Sequence, residues 1–164
     1  MSWMRTTGLG LLGVIAIGFM VKTVTRIPAW KNNLALDTAG VVTSSNSAHS
    51  NQFYAYELYR NSLEKGIGKD SSLFLLNKAL PYVNKALSIY PEYGQSHQCK
   101  AGILAGYYQY DRDLPKLLDG FYQLYEVRPT RPVQFLNVYL DYLNKNASNK
   151  QLLVDFYYKT GYEL

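Results

Sequence analysis

Reactive side chains are scarce in this sequence of 164 residues, which contains one cysteine and two histidines. A lone cysteine excludes an internal disulfide and a zinc site built on cysteines. His49 and His97 are far apart, and neither has an acid or a histidine four residues away. The sequence therefore predicts no metal site and no cofactor, and we expect Cys99 to be a small buried residue.

A concentration of charge of one sign is also absent. The 17 basic and 12 acidic residues leave a net charge of +5, and no run of four basic residues occurs. Nucleic-acid-binding domains cluster positive charge and stacking aromatics on one face, so we expect no nucleic-acid partner. The chain instead has 48% hydrophobic residues and sixteen tyrosines. This hydrophobic content excludes wholesale disorder. Tyrosine has a large apolar body and a polar tip, so its abundance suits helix–helix interfaces that remain partly exposed to solvent.

The most apolar stretch lies at the N-terminus, in an uncharged run between Arg5 and Lys22. A helix from Trp3 to Val21 is about 28 Å long, close to the roughly 30 Å of a hydrocarbon core. The sequence therefore predicts a transmembrane helix over residues 1–25, a single-pass membrane protein and the lipid bilayer as a partner. The alternatives are a cleaved signal peptide, for which the small-x-small cleavage site is missing, and a buried soluble helix.

Glycines in this apolar stretch indicate how the helix packs. Gly10 and Gly13 lie near one face of the predicted helix. A missing side chain lets another membrane helix approach closely, so we expect both glycines to be helix-packing residues.

The chain over residues 51–164 has a helical period, which predicts pairs of helices that end in proline. The first helix is expected to stop at Gly66, and the second at Pro91. Pro81 lies inside the second pattern, where it either kinks the helix or marks the first turn of a helix that begins near Lys78. The fold class is therefore all-α.

The second helix of the first pair follows the small, bulky, small, proline pattern of a tetratricopeptide repeat, and the second helix of the next pair has residues at the equivalent places. The first set is Ala79, Val83, Ala86 and Pro91, and the equivalent set is Leu117, Phe121, Leu124 and Pro129. The two prolines are 38 residues apart, whereas the repeat period is about 34. Tyr59 and Tyr139 also stand where a small residue is usual. We predict a tetratricopeptide-like stack of helical hairpins, with an irregular helical bundle as the alternative.

The junction after the apolar helix resembles a known family. It is similar to the transmembrane O-mannosyltransferase-like (GT-C type) proteins that carry C-terminal tetratricopeptide repeats, over about Gly8 to Pro91. The matching residues are Arg26, Trp30, Leu36, Asn46 and Ala48. The resemblance implies a half-repeat cap and linker over residues 26–50, followed by the repeat domain over residues 51–164. A solenoid end needs such a cap to keep its apolar face out of water.

The side of the membrane is predicted differently by charge and by resemblance. Lys22, Arg26 and Lys31 follow the apolar helix, and this bias alone favours a cytoplasmic domain. The resemblance implies a periplasmic or lumenal domain, and we adopt this extracytoplasmic prediction. The resembled enzymes carry their catalytic acids in loops between early membrane helices, and this sequence has none of those loops.

One short motif invites a catalytic interpretation. Asp111-Arg112-Asp113 has the Asp-x-Asp form that holds a divalent metal against a sugar nucleotide. We favour a helix entry, in which Asp113 is the N-cap and Arg112 neutralises a neighbouring acid. The sequence therefore predicts no catalytic residue and no enzyme activity of its own.

The function predicted from these features is that of a non-catalytic, membrane-anchored scaffold or adaptor for protein–protein interaction. Its partner is expected to be a protein or peptide, including a multi-pass membrane protein. The alternative is an accessory or C-terminal part of a multi-pass membrane glycosyltransferase that positions the acceptor, and an independent enzyme comes third. The candidate groove residues are Tyr56, Arg60, Tyr107, Tyr108, Asn137 and Asp141.

Overall fold

A computed structural model describes residues 2–127, 134–146 and 149–163, with side chains described except at positions 2–7, 9, 134 and 163. These ranges hold eight α-helices and one 3-10 turn, and no strand. The helices are α1 Ser2–Arg26, α2 Asn33–Thr43, α3 Ala48–Ser62, α4 Lys69–Ile89, α5 Gly94–Asp111, α6 Leu114–Val127, α7 Gln134–Asn146 and α8 Lys150–Glu163, and the 3-10 turn is Ile27–Trp30. The predicted all-α class is confirmed.

Helix α1 carries the apolar N-terminal stretch. The window Gly10–Trp30 has a mean hydropathy of 1.6, and none of it is buried by the described remainder of the chain. The 25 residues of α1 make about 37 Å of helix at 1.5 Å per residue, more than the roughly 30 Å of a hydrocarbon core. One N-terminal helix is therefore long and apolar enough to span a membrane. Gly10 and Gly13 face open space, with no described atom within 4 Å of an added Cβ.

Helix α2 is a lone helix between the apolar segment and the first hairpin. Its N-cap is Asn32, whose side chain accepts a 2.8 Å hydrogen bond from the Ala35 amide. It packs against α3 through the buried Val41 and through Asn33, whose side-chain Nδ2 donates a 3.4 Å hydrogen bond to Glu57 Oε1. Because α2 covers one side of α3, it lies where the sequence predicts a cap.

The remaining helices stack as hairpins. Successive helices α3, α4, α5 and α6 contact each other in chain order, and contacts also join α3 to α5, α5 to α7, and α6 to α8. Alternate helices therefore form two layers, one of α3, α5 and α7 and one of α4, α6 and α8. The buried apolar side chains of the described residues gather between these layers.

Helix α4 runs unbroken from Lys69 to Ile89 with Pro81 inside it. The alternative start near Lys78 is therefore wrong. Pro81 is exposed, whereas Ala79, Val83 and Ala86 are fully buried on the other face, as their small-bulky-small pattern predicts. A helical face of this kind packs closely on its neighbours.

The predicted end of α3 at Gly66 is wrong by four residues, since the helix ends at Ser62. Its last turn closes early because the Leu63 amide donates to Arg60 and Asn61 carbonyls instead of continuing the α-helical ladder. Gly66 instead has a φ of +86° in the loop that leads to α4. Glycine suits that position because it reaches positive φ without a steric cost.

Tyr59, which stands where a small residue is usual, packs against a glycine on the next helix of its layer. A Cβ added at Gly102 of α5 would lie 2.7 Å from the Tyr59 Cζ atom. The Tyr59 ring of α3 thus occupies the space that a side chain at position 102 of α5 would fill, and the two helices still approach closely.

Candidate functional site

The layer formed by α3, α5 and α7 carries two adjoining cavities, of about 450 Å³ and about 670 Å³. Phe135 of α7 lines both cavities, so they adjoin at this side chain, and we call the two cavities together the aromatic groove. Its described lining residues are Gln52, Phe53, Tyr56, Tyr59, Gln95, Gln98, Cys99, Gln109, Tyr110, Arg112, Phe135, Val138, Tyr139 and Tyr142.

Helical spacing explains why these residues meet. On α3, Gln52, Tyr56 and Tyr59 are separated by four and three residues and so lie on one face. On α7, Phe135, Tyr139 and Tyr142 repeat the same spacing. Because α5 contacts both α3 and α7, it brings the two aromatic stripes to opposite sides of its own glutamines.

The aromatic groove is almost uncharged. Among the described lining residues, Arg112 alone carries a charge. Burial, followed by the neighbouring Tyr142 and Tyr108, raises the pKa of Tyr139 to about 12. Burial also raises the pKa of Cys99 to about 12. The hydroxyl and the thiol therefore stay protonated near neutral pH and supply neither an anionic ligand nor a thiolate nucleophile.

Gln52 places a polar side chain in the wall of the aromatic groove. It is 6% exposed, and its Oε1 atom has no hydrogen-bond partner within the described part of the chain. A buried amide oxygen without a partner costs free energy, and this oxygen is itself shielded from solvent.

The rings of α7 pack on one another and on the core. Phe135 and Tyr139 are stacked, with centroids 5.7 Å apart and planes at 14°. Tyr139 also contacts Tyr142 at 5.5 Å and meets Phe121 edge-on at 6.0 Å. Stacked and edge-on pairs are favourable geometries that hold rings in place. The α7 wall is therefore a set of rings that hold one another in place.

The six predicted groove residues do not lie together. Tyr56 lines the aromatic groove and is 44% exposed. Arg60 is on the same helix but pairs with the buried Glu57 at 2.8 Å. The Tyr107 hydroxyl donates to Asn77 of α4 at 2.8 Å, so this side chain points toward the other layer.

The other three predicted residues have different surroundings. Tyr108 packs against the core, with the Arg112 guanidinium 5.8 Å from its ring centroid. Asn137 and Asp141 line a separate cavity of about 500 Å³ between α7 and α8, where the Tyr125 hydroxyl donates to Asn137 at 2.8 Å. The glutamines and the α7 aromatics were not predicted from the sequence, although the spacing of four and three residues between Phe135, Tyr139 and Tyr142 was a signal for the aromatics.

The Asp111-Arg112-Asp113 segment is a helix entry. Asp113 Oδ1 accepts a 3.1 Å hydrogen bond from the Lys116 amide, which confirms the predicted N-cap. The neutralising cation is Lys116, whose Nζ lies 3.0 Å from Asp111 Oδ2, so the predicted role of Arg112 is wrong. Burial raises the pKa of Asp111, but hydrogen bonds from the Asp113 amide and Lys116 outweigh it and lower that pKa overall.

The histidines are engaged in hydrogen bonds with neighbouring helices and loops. His97 is buried, with Nε2 2.6 Å from the Pro91 carbonyl oxygen, and His49 Nδ1 lies 2.8 Å from the Tyr93 hydroxyl. Cys99 is buried in the wall of the aromatic groove. No group of three or more histidine, cysteine or acidic side chains suited to a metal occurs in the described ranges.

Comparison with protein-family models, with curated proteins and with solved structures finds no match for this chain. The aromatic groove and the apolar helix α1 are therefore the features that bear on function. Both are features of the described residues, and neither depends on a relative.

Proposed function

We propose that this protein is a membrane-anchored, tetratricopeptide-like scaffold whose aromatic groove holds a segment of a partner polypeptide. The observation that carries the proposal is the nearly uncharged lining of aromatic rings and glutamine amides in two adjoining cavities on α3, α5 and α7. Ligand sites are mostly apolar and aromatic, with a few polar groups that fix orientation. In this scheme α1 anchors the chain and the hairpin stack lies on the extracytoplasmic side.

A polypeptide suits this surface for two reasons. Glutamine side chains both donate and accept hydrogen bonds, as the main chain of a peptide does. Tyrosine and phenylalanine supply large contact areas with few rotatable bonds, so ordering them on binding costs little entropy. Tyr56, Val138 and Tyr142 are exposed on this surface and available to a partner.

The second candidate is an accessory part of a multi-pass membrane glycosyltransferase that positions an acceptor. It is favoured by the junction at Arg26 and Trp30, which resembles that of such enzymes, and by the exposed tyrosines, since aromatic rings also pack on sugars. Here the aromatic groove would hold the acceptor chain, and α1 would pack on the enzyme's membrane helices through Gly10 and Gly13.

Site-specific photo-crosslinking of the full chain in its native membrane tests the proposal. Benzoylphenylalanine replaces Tyr56 or Tyr142 in the aromatic groove, and Tyr158 of α8, which is 65% exposed and outside the groove, in the control. We expect the two groove positions to crosslink the same polypeptide, which is then identified by mass spectrometry. Crosslinking must fall when Phe135→Ala is added, and equal crosslinking from Tyr158 would contradict the proposal.

A further inference from the structure

Most of the net charge of this protein lies in and directly after the apolar helix α1. Residues 1–36 contain no acidic residue and have a charge of +4, whereas the 13 basic and 12 acidic residues of the remaining chain leave only +1. The four basic residues are Arg5, Lys22, Arg26 and Lys31. We infer that residues 22–31, which we call the basic segment, bind the headgroups of anionic phospholipids. This inference rests on the membrane anchor of the proposed function and does not involve the aromatic groove.

The cations of the basic segment are available to a lipid phosphate. Lys22, Arg26 and Lys31 are exposed, and neither ion pair of the described residues involves them. Lys22 and Arg26 are four residues apart on α1 and so lie near one face. A zwitterionic lipid balances its phosphate with a cation of its own, whereas an anionic lipid leaves a negative charge unbalanced. The basic segment therefore favours anionic lipid.

Helix length places the basic segment at the level of the headgroups. The stretch from Trp3 to Val21 is about 28 Å long, so it fills the roughly 30 Å hydrocarbon core. Residues 22–26 of α1 add about 7.5 Å at 1.5 Å per residue, and the headgroup layer on each side of the core is about 5–8 Å thick. When α1 spans the membrane, Lys22 therefore lies at the inner border of this layer and Arg26 at its outer border.

Exposed apolar side chains continue beyond the cations of α1. Ile27 is 61% exposed and Trp30 is 72% exposed, in the 3-10 turn that directly follows α1. The apolar window Gly10–Trp30 includes this turn as well. Tryptophan is enriched where a membrane helix meets water, because its amphipathic ring sits at the headgroup level. The basic segment therefore stays in the headgroup layer as far as Trp30 instead of leaving it at Lys22.

Quenching of Trp30 fluorescence in the reconstituted full chain tests the inference. The chain has two tryptophans, so Trp3→Phe leaves Trp30 as the reporter. The vesicles contain equal amounts of phosphatidylcholine and phosphatidylglycerol, and one lipid or the other carries bromine on acyl carbons near the headgroup. Because bromine quenches only at short range, it reports which lipid is next to Trp30. We expect phosphatidylglycerol to be enriched about threefold over phosphatidylcholine there, since basic residues near a bilayer surface attract anionic lipid.

A charge variant assigns this enrichment to the basic segment. Lys22→Gln, Arg26→Gln and Lys31→Gln are combined in the chain that keeps Trp30 as the reporter, and we expect the enrichment to disappear. Raising the salt concentration from about 0.1 M to about 1 M is expected to reduce it in the parent chain, because the screening length falls from about 10 Å to about 3 Å. Enrichment that persists in the variant or at high salt overturns the inference.

The matched control removes three exposed cations from the hairpin stack instead. It combines Lys65→Gln, Lys69→Gln and Lys85→Gln, which change the net charge by the same amount. We expect this control to keep the enrichment of phosphatidylglycerol around Trp30. An equal loss in the control would mean that the charge of the whole protein, and not the basic segment, attracts the lipid.

A second reporter separates the inference from the membrane anchor. Trp30→Phe leaves Trp3, whose quenching shows that α1 has entered the bilayer. If Trp3 is quenched while Trp30 is quenched equally by both brominated lipids, or by neither, the inference fails and the anchor stands. If neither tryptophan is quenched in any of the vesicles, the inference and the anchor of the proposed function both fail.

Discussion

At the scale of single residues, the contact between Tyr59 and Gly102 shows how this stack accommodates its many aromatic side chains. Tyr59 lines the aromatic groove and its ring lies where the side chain of residue 102 would begin. The pair joins α3 to α5 within one layer. Gly120 of α6 is packed in the same way, since a Cβ added there would lie 2.8 Å from Leu104 Cδ1 of α5.

Gly102→Ala is expected to destabilise the fold by about 1–3 kcal/mol, because the new methyl group collides with the Tyr59 ring in a packed interface. Chemical denaturation with circular dichroism measures the change. The matched control is Gly40→Ala on α2, where no described atom lies within 4 Å of an added Cβ. Because glycine is a poor helix former, this control is expected to stabilise the fold by about 0.5–1 kcal/mol.

A double-mutant cycle tests the cause of that destabilisation. Tyr59→Leu shortens the side chain, so its combination with Gly102→Ala is expected to lose less stability than the two single changes added together. Strict additivity would mean that Gly102 matters for a reason other than the Tyr59 ring.

At the scale of elements, a polar contact joins the lone helix α2 to α3. Glu57 is buried, accepts from Arg60 at 2.8 Å and is 3.4 Å from the Asn33 amide. Asp37 of α2 lies near this group, and its pKa is raised above 3.8 by burial and then by Glu57, against lowering effects of Arg60 and His49. In the α2–α3 interface, burial and then the charge of Glu57 therefore disfavour the ionised form of Asp37.

This arrangement predicts a pH-dependent effect of Asp37→Asn. A carboxyl group whose pKa is higher in the folded state stabilises the fold while it is protonated, and that contribution is lost as the pH rises through the folded-state pKa. Near pH 7 the charged Asp37 is unfavourable, so the asparagine variant is expected to melt at a higher temperature than the parent chain. The difference is expected to disappear below the ordinary value of 3.8.

Thermal unfolding at pH 7, 5 and 3 measures the effect. The control is Asp155→Asn on α8, an exposed carboxylate that accepts from Gln151 at 2.9 Å. A lower melting temperature for Asp37→Asn at pH 7 would mean that the carboxylate is favourable in the α2–α3 interface.

At the scale of the whole molecule, the apolar helix α1 and the hairpin stack are two distinct parts joined by a short connection. Helix α1 contacts the 3-10 turn Ile27–Trp30, and α2 joins that turn to the first hairpin. The aromatic groove lies on α3, α5 and α7, which follow α2 in the chain, whereas α1 precedes it. The long apolar helix α1 and the aromatic groove are the two features from which we propose a membrane-anchored scaffold.

The proposed extracytoplasmic position of the stack predicts glycosylation at Asn146. The sequence Asn146-Ala147-Ser148 is an acceptor for N-linked glycans. On translation into microsomes, the chain is expected to gain a glycan that endoglycosidase H removes, and Asn146→Gln is expected to abolish the shift. If Asn146 stays unmodified while an acceptor added before α1 is glycosylated, the stack lies on the cytoplasmic side.

The sequence by itself determined the features that depend on neighbours along the chain. The apolar run of α1, the helical period, the N-cap at Asp113 and the buried face of Ala79, Val83 and Ala86 all follow from spacing within one helix. The end at Gly66 and the neutralising role of Arg112 were misjudged, and of the two alternatives for Pro81 the start near Lys78 is wrong. Hydrogen bonding in the last turn, the choice of an ion-pair partner and the continuation of α4 past a proline are not encoded in the helical period.

Only the tertiary structure decided which side chains share a surface. Helical spacing tells which residues of a helix lie on one face, but not which neighbouring helix that face meets. The Tyr107 hydroxyl therefore donates to Asn77 of α4, and Asn137 lines a cavity with residues of α6 and α8. Tyr56 and Phe135, in contrast, line one cavity together with residues of α5. The aromatic groove exists because α5 contacts both α3 and α7, and contacts between helices far apart in sequence leave no periodic signal in any one of them.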